Sequence, residues 1–261
     1  MGDGRLQQLH AKINAAEKIL VGLGEEFQYD WSALLEDSRY QEIEKEISGR
    51  EEYVWITPFL QKMILSRPTQ NKWRMAYGNL REMLKGKDYF IVSLCMDDYI
   101  YATGFDESRI VTPCGGFRRM QCDQNCRRVL SDIPGESYAA VMKYYRKELP
   151  IQALQEPVCR YCGSKLRYNQ LGVTKYAEEG YLESWGEYTR WLQGTVNRNL
   201  CVLELGVGME YPMVVRFPFE KIVHYNQKAF LYRVHSRLYQ VGEGIGDRGM
   251  GIQANAIDFM S

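Results

Sequence analysis

The chain of 261 residues has few histidines, no long apolar run and no net charge, and each lack excludes a class of function. Lys and Arg together number 33, as do Asp and Glu, so the composition gives no attraction to nucleic acid or anionic membranes. No apolar run reaches the roughly 18 residues that a membrane-spanning helix needs. We therefore predict a globular protein with neither nucleic-acid nor membrane partners. Only His10, His224 and His235 could serve as imidazole bases or ligands.

The N-terminus does not have the pattern of a secretory signal. Residues 5–17 place apolar side chains at helical spacing, and an apolar strand pattern follows directly. The seven cysteines leave an odd one over, which does not favour a disulfide framework. We therefore expect an intracellular, cytoplasmic protein with reduced thiols.

Four of the cysteines form two close pairs. Cys122 and Cys126 are separated by three residues, and Cys159 and Cys162 by two. Two short thiolate chelates brought together make the tetrahedral four-sulfur site that structural zinc prefers. We predict a small zinc-binding module at residues 117–170, with four unrelated buried thiols as the alternative. The other cysteines lie in apolar or Gly-rich segments: Cys95, Cys114 and Cys201.

Strand-like and helix-like patterns alternate along the rest of the chain. The predicted strands are residues 18–24, 88–98, 108–116, 199–208 and 229–236. The predicted helices are residues 5–17 and 31–48, two within 55–86 broken at 68–69, then 138–154, 178–197 and 253–260. Such alternation is typical of a Rossmann-like, doubly wound parallel α/β sheet. We assign residues 1–116 and 171–261 to that domain, with the zinc module inserted.

Two of these strands end in Gly-x-Gly. The first pair is Gly22 and Gly24, and the second is Gly206 and Gly208. Ligands of doubly wound sheets bind beyond the carboxyl ends of the strands, where glycines let a pyrophosphate approach backbone N–H groups. Neither copy completes Gly-x-Gly-x-x-Gly, so the motif alone only indicates a nucleotide site.

The order of these motifs resembles the sirtuin (Sir2) family over nearly the whole chain. KILVGLG stands where that family has a strand leading to Gly-Ala-Gly, and SLCMDDYIYATG where it has Thr-Gln-Asn-Ile-Asp-Gly. CRYCGSKLR resembles its second zinc knuckle, and LELGVGMEYP its Gly-Thr-Ser strand end. The resemblance implies an NAD-dependent protein deacylase or ADP-ribosyltransferase with structural zinc and an acyl-lysine or other protein substrate. It implies nucleotide contacts from five residues: Gly22, Gly24, Asp97, Gly206 and Gly208.

The departures from the family pattern fall at its catalytic positions. Cys114 stands at the position of the family's general-base His, and Cys95 at that of its nicotinamide-pocket Asn. A thiol with an ordinary pKa of about 8.5 is a poor base at neutral pH. Glu25 and Glu26 replace the Ser after Gly-Ala-Gly and disfavour tight NAD binding unless they point to solvent.

Two positions keep alternatives open. Asp97 is retained, either as a contact to ribose or nicotinamide or as a helix N-cap. The later Asn of the family becomes Arg233 or His235, depending on how the strand is aligned.

We therefore expect a degraded catalytic set in a sirtuin-like protein, a pseudoenzyme that binds NAD or ADP-ribose with little turnover. The catalytic residues themselves stay unknown. The first alternative is an active, divergent deacylase or ADP-ribosyltransferase with a replaced base. The second is a zinc-ribbon interaction scaffold that binds no nucleotide.

Overall fold

The computed structural model describes residues 2–67 and 71–261, and most of them form one sheet covered by helices on both faces. The strands are β1 Lys18–Leu23, β2 Asp88–Ser93, β3 Ile110–Val111, β4 Gly115–Cys122, β5 Leu166–Gln170, β6 Leu200–Leu205, β7 Ala229–His235 and β8 Gly249–Gln253. The α-helices are α1 Gly2–Ala15, α2 Ser38–Ile47, α3 Ile56–Leu65, α4 Lys72–Leu84, α5 Gly135–Tyr145, α6 Leu182–Gln193, α7 Arg216–Tyr225 and α8 Ala256–Met260. The break predicted at 68–69 lies outside the described residues.

Six parallel strands form the main sheet in the order β3-β2-β1-β6-β7-β8. Counted along this sheet alone, that is the 3-2-1-4-5-6 order of a doubly wound nucleotide-binding fold. The direction in which successive strands are added to the sheet reverses between β1 and β6, and the carboxyl ends of these two parallel strands therefore form the crevice where such sheets bind ligands. The predicted fold class is confirmed.

Each face of the sheet carries its own apolar core. Helices α1, α4 and α8 cover one face, where Leu9, Ile13 and Tyr77 are fully or almost fully buried. Helices α6 and α7 cover the other face, where Tyr188 and Trp191 pack on Phe90. None of the described helices is long and apolar enough to cross a membrane.

A smaller body is built on the antiparallel β4–β5 ribbon and α5. Helices α2 and α3 share its core, since Ile43 and Phe59 cluster with Phe117 and Tyr168. Arg39 fixes α2 to α5 by donating to the carbonyls at the end of α5. Helices α2 and α3 therefore pack in the same core as the module predicted at residues 117–170. The division predicted from the sequence assigns both helices to the Rossmann-like domain.

Candidate functional site

The loops after β1 and β6 meet at the crevice and leave no space between their backbones. The amide of Gly24 donates to the carbonyl of Leu205 at 3.0 Å, and that of Glu26 to the carbonyl of Gly206 at 3.2 Å. A Cβ on Gly24 would lie 2.4 Å from the Cα of Val207. Gly206 adopts a left-handed conformation with φ +67°, which an L side chain rarely adopts. Both positions therefore require glycine for close packing.

The carboxylate of Glu25 lies at the loop after β6. It accepts hydrogen bonds from the amides of Gly208 at 2.6 Å and Glu210 at 3.0 Å. Two convergent backbone N–H groups of this kind form an anion site. The protein thus supplies its own anion where a nucleotide phosphate would need donors.

Glu26 does the same at the ends of β7 and β8. One of its oxygens accepts from the amide of Ser236 at 3.0 Å and from the Ser236 hydroxyl. The other accepts from the amide of Ala256 at 3.1 Å, at the start of α8. Both glutamates therefore point inward, which is the orientation that disfavours nucleotide binding.

The glycines predicted to bind nucleotide have different surroundings. Gly22 lies inside β1, where a Cβ would meet Val215 at 2.5 Å and Phe219 at 2.9 Å, so its contacts are packing against the α7 region. The amide of Gly206 donates to the carbonyl of Val234. Among the glycines predicted to contact nucleotide, it is Gly208 whose amide donates to the Glu25 carboxylate in the crevice.

Asp97 is buried and both of its oxygens are engaged. They accept from the amides of Tyr29 at 2.5 Å and Tyr99 at 2.8 Å. Burial raises the pKa of Asp97 to about 6, although these two bonds oppose the shift. Asp97 therefore joins the β1 and β2 loops, a structural role close to the predicted cap. A contact to ribose or nicotinamide stays a prediction.

The two cysteines at family catalytic positions are buried thiols. Cys114 is 1% exposed, and burial raises its pKa to about 12, with the negative charges of Glu210 and Glu25 adding to the shift. Cys95 is also buried, and its sulfur lies 3.4 Å from the carbonyl oxygen of Gly24. Burial also raises the pKa of Cys95 well above its ordinary value, so both thiols are held in the protonated form at neutral pH.

Arg233 and His235, the two candidates for the Asn that the sirtuin pattern has in its later strand, contact different groups. Arg233 is fully buried and pairs with Glu204 on the neighbouring strand, at 2.6 and 3.0 Å. His235 ends β7, and its Nδ1 accepts from the amides of Arg237 and Leu238. Arg233 therefore stabilises the sheet, and His235 is the one at the crevice end of the strand.

The four paired cysteines converge on one point at the end of the smaller body. All four sulfurs lie within 4.8 Å of one another, with Cys122 and Cys162 at 3.5 Å and Cys126 and Cys159 at 3.8 Å. The edge of a zinc tetrathiolate with bonds of 2.3 Å is about 3.8 Å. The donor set and its dimensions therefore fit a tetrahedral zinc ion, and the predicted clustering is confirmed.

The backbone of each knuckle turns through a left-handed residue. Asn125 adopts φ +45°, and its amide donates to the carbonyl of Cys122 at 2.7 Å. Gly163 adopts φ +73°, and its amide donates to the carbonyl of Cys159 at 2.8 Å. Asn and Gly are the residues that tolerate this conformation best. The longer first gap is thus accommodated by an ordinary turn.

Solved structures with this arrangement of elements are Sir2 proteins. A Sir2 bound to acetylated peptide matches 98% of this chain and 95% of its own, at a TM-score of 0.57 and 14% identity. The chain has the sirtuin fold. A Sir2Tm structure bound to a propionylated peptide gives a TM-score of 0.56 at 13% identity, over 98% and 95% of the two chains. A Sir2 homologue in complex with ADP-ribose gives 0.55 at 14%, over 97% and 92%.

Two curated relatives of this sirtuin-like chain are named for ADP-ribose chemistry. A "Probable bifunctional ADP-ribose hydrolase/ADP-ribosyltransferase" from Fusarium oxysporum f. sp. cubense is 32% identical over 145 residues. That match covers 53% of this chain and only 24% of the relative. A "Protein ADP-ribosyltransferase" from Staphylococcus aureus is 20% identical over 92% of this chain and 81% of the relative. No model of a known protein family matches the chain.

Asp98, which follows the Asp97 position of the sirtuin pattern, was not singled out by the sequence. It adopts φ +57°, and its Oδ2 is shielded from solvent without a hydrogen-bond partner among the described residues. Its carboxyl group occupies the space where Gly116 would carry a Cβ, at 2.2 Å. Burial, followed by the nearby charge of Asp97, raises the pKa of Asp98 to about 7. The sequence offered one signal for Asp98, its position directly after Asp97 at the end of a predicted strand.

We expect Asp98→Asn to stabilise the protein at alkaline pH and to flatten its pH dependence. The pKa of Asp98 is raised from 3.8 to about 7 in the folded protein. The protonated carboxyl therefore adds to the free energy of unfolding. This contribution is fully present below pH 3.8 and is lost as the pH rises through about 7. Asn keeps the shape, tolerates the left-handed backbone and cannot ionise. Urea unfolding should show a gain of about 1–3 kcal/mol at pH 8 and little change at pH 4.

The exposed Asp247 provides the control. Asp247→Asn should leave the unfolding free energy unchanged at both pH values. An equal effect of Asp98→Asn at acid and alkaline pH would show that Asp98 does not titrate near neutrality.

Proposed function

We propose that this protein is a sirtuin-like pseudoenzyme that binds ADP-ribose or NAD weakly in the crevice between β1 and β6 and does not turn NAD over. The observation that carries the proposal is the site of Cys114. Its thiol stands where the sirtuin pattern has the general base, and burial raises its pKa to about 12. At neutral pH it cannot accept a proton from a ribose hydroxyl.

The occupied anion site supports residual binding of a nucleotide phosphate. The amides of Gly208 and Glu210 converge on one negatively charged group, the carboxylate of Glu25. A phosphate can take the same donors if that side chain rotates away, which the half-buried position of Glu25 permits. Glu25 then acts as an internal competitor and lowers the apparent affinity.

The four clustered thiols support a second part of the proposal, a structural zinc ion held by Cys122, Cys126, Cys159 and Cys162. When bound, such an ion has all four positions filled by protein and serves the fold, not the reaction. The thiolates must be deprotonated to bind it. Zinc binding therefore releases protons and weakens as the pH falls.

An ADP-ribosyltransferase is the second candidate, and the two curated relatives favour it. Both carry that activity in their names, and the Staphylococcus aureus protein aligns over 92% of this chain. In that case another group would have to replace the base, and nicotinamide would be released from NAD in the presence of a protein acceptor.

Calorimetric titration of the metal-loaded protein with ADP-ribose and NAD tests the proposal. We expect a Kd on the order of 0.1–1 mM for the native chain, about −4 to −5.5 kcal/mol. Glu25→Ala should tighten ADP-ribose binding at least about tenfold, or 1.4 kcal/mol, because it frees two amides and removes a like charge. Glu179→Ala, at an exposed glutamate, is the matched control and should change nothing.

Release of nicotinamide is measured on the same preparations. Binding without release supports the pseudoenzyme. Release by the native protein would overturn it in favour of the transferase. No heat of binding from the native chain or from Glu25→Ala at millimolar nucleotide would mean that the crevice binds no nucleotide, as expected of an interaction scaffold.

A further inference from the structure

A groove of about 420 Å³ lies on the smaller body, and three of the four clustered cysteines, Cys122, Cys126 and Cys159, form part of its wall. Apolar side chains form much of its lining, including Val129, Pro134 and Val158. Val129 and Val158 are 58% and 56% exposed, which is unusual for valines beside a formed cavity. The groove thus offers apolar contacts that the described residues do not cover.

The groove also carries arginines whose charges are not neutralised. Arg127 and Arg160 form no ion pair with any residue that the structure describes. Their guanidinium groups lie 5.2 and 4.8 Å from the ring centroid of Tyr161, so the aromatic ring holds both in place. Asp132 is the acidic side chain in the lining, and it pairs with Arg119 at 3.5 Å. Arg160 also donates to the Tyr161 hydroxyl at 2.6 Å, so both guanidinium groups have a neutral aromatic neighbour but no carboxylate partner among the described residues.

The charge of this part of the chain differs from the whole. Residues 115–170 contain ten Lys and Arg against five Asp and Glu, whereas the entire chain is balanced at 33 of each. A zinc tetrathiolate would offset part of this excess with its two negative charges, but basic residues still outnumber acidic ones. The basic excess is therefore local to residues 115–170, which carry the groove, and favours an acidic ligand there.

The combination of features favours a peptide over a nucleic acid. Nucleic-acid binding draws its affinity from neutralising many phosphates, often six to ten or so. Here two unpaired guanidinium groups flank a Tyr ring between exposed valines. Guanidinium groups pair with carboxylates in a bidentate geometry, and the exposed side chains of Val129 and Val158 offer apolar contact to an aliphatic side chain.

We propose that this groove, lined by Arg127, Arg160, Tyr161, Val129 and Val158, binds an acidic segment of a partner protein that alternates carboxylate and aliphatic side chains. Carboxylates pair with Arg127 and Arg160 while an aliphatic side chain covers the valines. The site does not depend on nucleotide, so its test and the test of the crevice fail independently.

Fluorescence anisotropy of a short labelled peptide in which Glu alternates with Leu tests the proposal on the zinc-loaded full chain. We expect saturable binding with a Kd of about 100 µM or tighter, weakening as salt is raised. The double variant Arg127→Ala, Arg160→Ala should weaken binding at least about tenfold. Arg146→Ala removes an exposed positive charge from the same body outside the groove and should leave the affinity within about twofold.

Three further outcomes decide the proposal. Loss of binding when Gln replaces Glu in the peptide supports a carboxylate contact. Equal weakening by Arg146→Ala and the double variant would show general charge attraction and overturn the groove. Tighter binding of a single-stranded oligonucleotide than of the acidic peptide would overturn the peptide assignment. Zinc content and the thermal unfolding midpoint are measured for each variant, to show that it remains folded. Tyr161→Leu is expected to weaken peptide binding without removing a charge, because the ring holds Arg127 and Arg160 in place.

Discussion

Replacing Cys159 by Ser is expected to abolish zinc binding and to unfold the β4–β5 ribbon, with the six-stranded sheet still folded. Structural zinc contributes about 10–16 kcal/mol of apparent binding free energy in small modules, more than any other single feature here. The ribbon nevertheless shares its core with α2, α3 and α5, so these helices should lose stability without fully unfolding. Loss of zinc should therefore destabilise the β4–β5 ribbon more than the six-stranded sheet.

Metal analysis and amide hydrogen exchange measure this result. The native chain should hold about one zinc per molecule, and in Cys159→Ser protection should fall in residues 115–122 and 166–170 but persist in β1. Cys201→Ala provides a control, because Cys201 is a buried thiol of β6 outside the cluster. Full zinc retention by Cys159→Ser, or metal well below one per native chain, would contradict the four-sulfur site.

Replacing Arg233 by Met is expected to destabilise the protein by about 3–5 kcal/mol, because it leaves a buried carboxylate without its partner. Arg233 binds Glu204 through two nitrogens, and its third bonds Glu220 at 2.6 Å and the carbonyl of Gln240 at 2.7 Å. Burial raises the pKa of Glu204, and Arg233 opposes that shift. The whole pair lies between β6 and β7, directly below the crevice.

A double-mutant cycle with chemical denaturation checks the prediction. The cycle includes Glu204→Leu, and the double variant Glu204→Leu, Arg233→Met should recover most of the loss, since no fully buried carboxylate is then left without its partner. Arg198→Met is the control, because Arg198 pairs with Glu17 at the surface, where both side chains are half exposed, and should cost under about 1 kcal/mol. A cost below about 1 kcal/mol for Arg233→Met would show that Glu204 becomes protonated or hydrated without penalty.

Local patterns in the sequence predicted the elements that have strong periodicity. The apolar runs of β1, β2, β6 and β7 are buried on both faces, so each reads as a continuous strand. The elements that were missed include most of the β4–β5 ribbon, β8 and α7. β8 contains two glycines and lies at the sheet edge, and α7 has Pro218 in its first turn, where a missing N–H costs nothing.

Some features of the candidate site could likewise be predicted from local spacing, and others could not. Cys122, Cys126, Cys159 and Cys162 could be grouped from spacing, because thiol pairs two or three residues apart act as chelates whatever surrounds them. The direction of Glu25 and Glu26 could not be predicted, because it depends on amides of Gly208 and Ala256, far away in the chain.

The sequence by itself determined the sirtuin-like order of strands, helices and cysteine pairs, since these follow from periodicity and spacing along the chain. Only the tertiary structure decided that α2 and α3 pack with the β4–β5 ribbon and that Cys114 is buried. It also decided that two glutamates occupy the anion donors of the crevice. The physical reason is that burial, pKa and hydrogen-bond partners depend on contacts between residues distant in sequence, which no local pattern records.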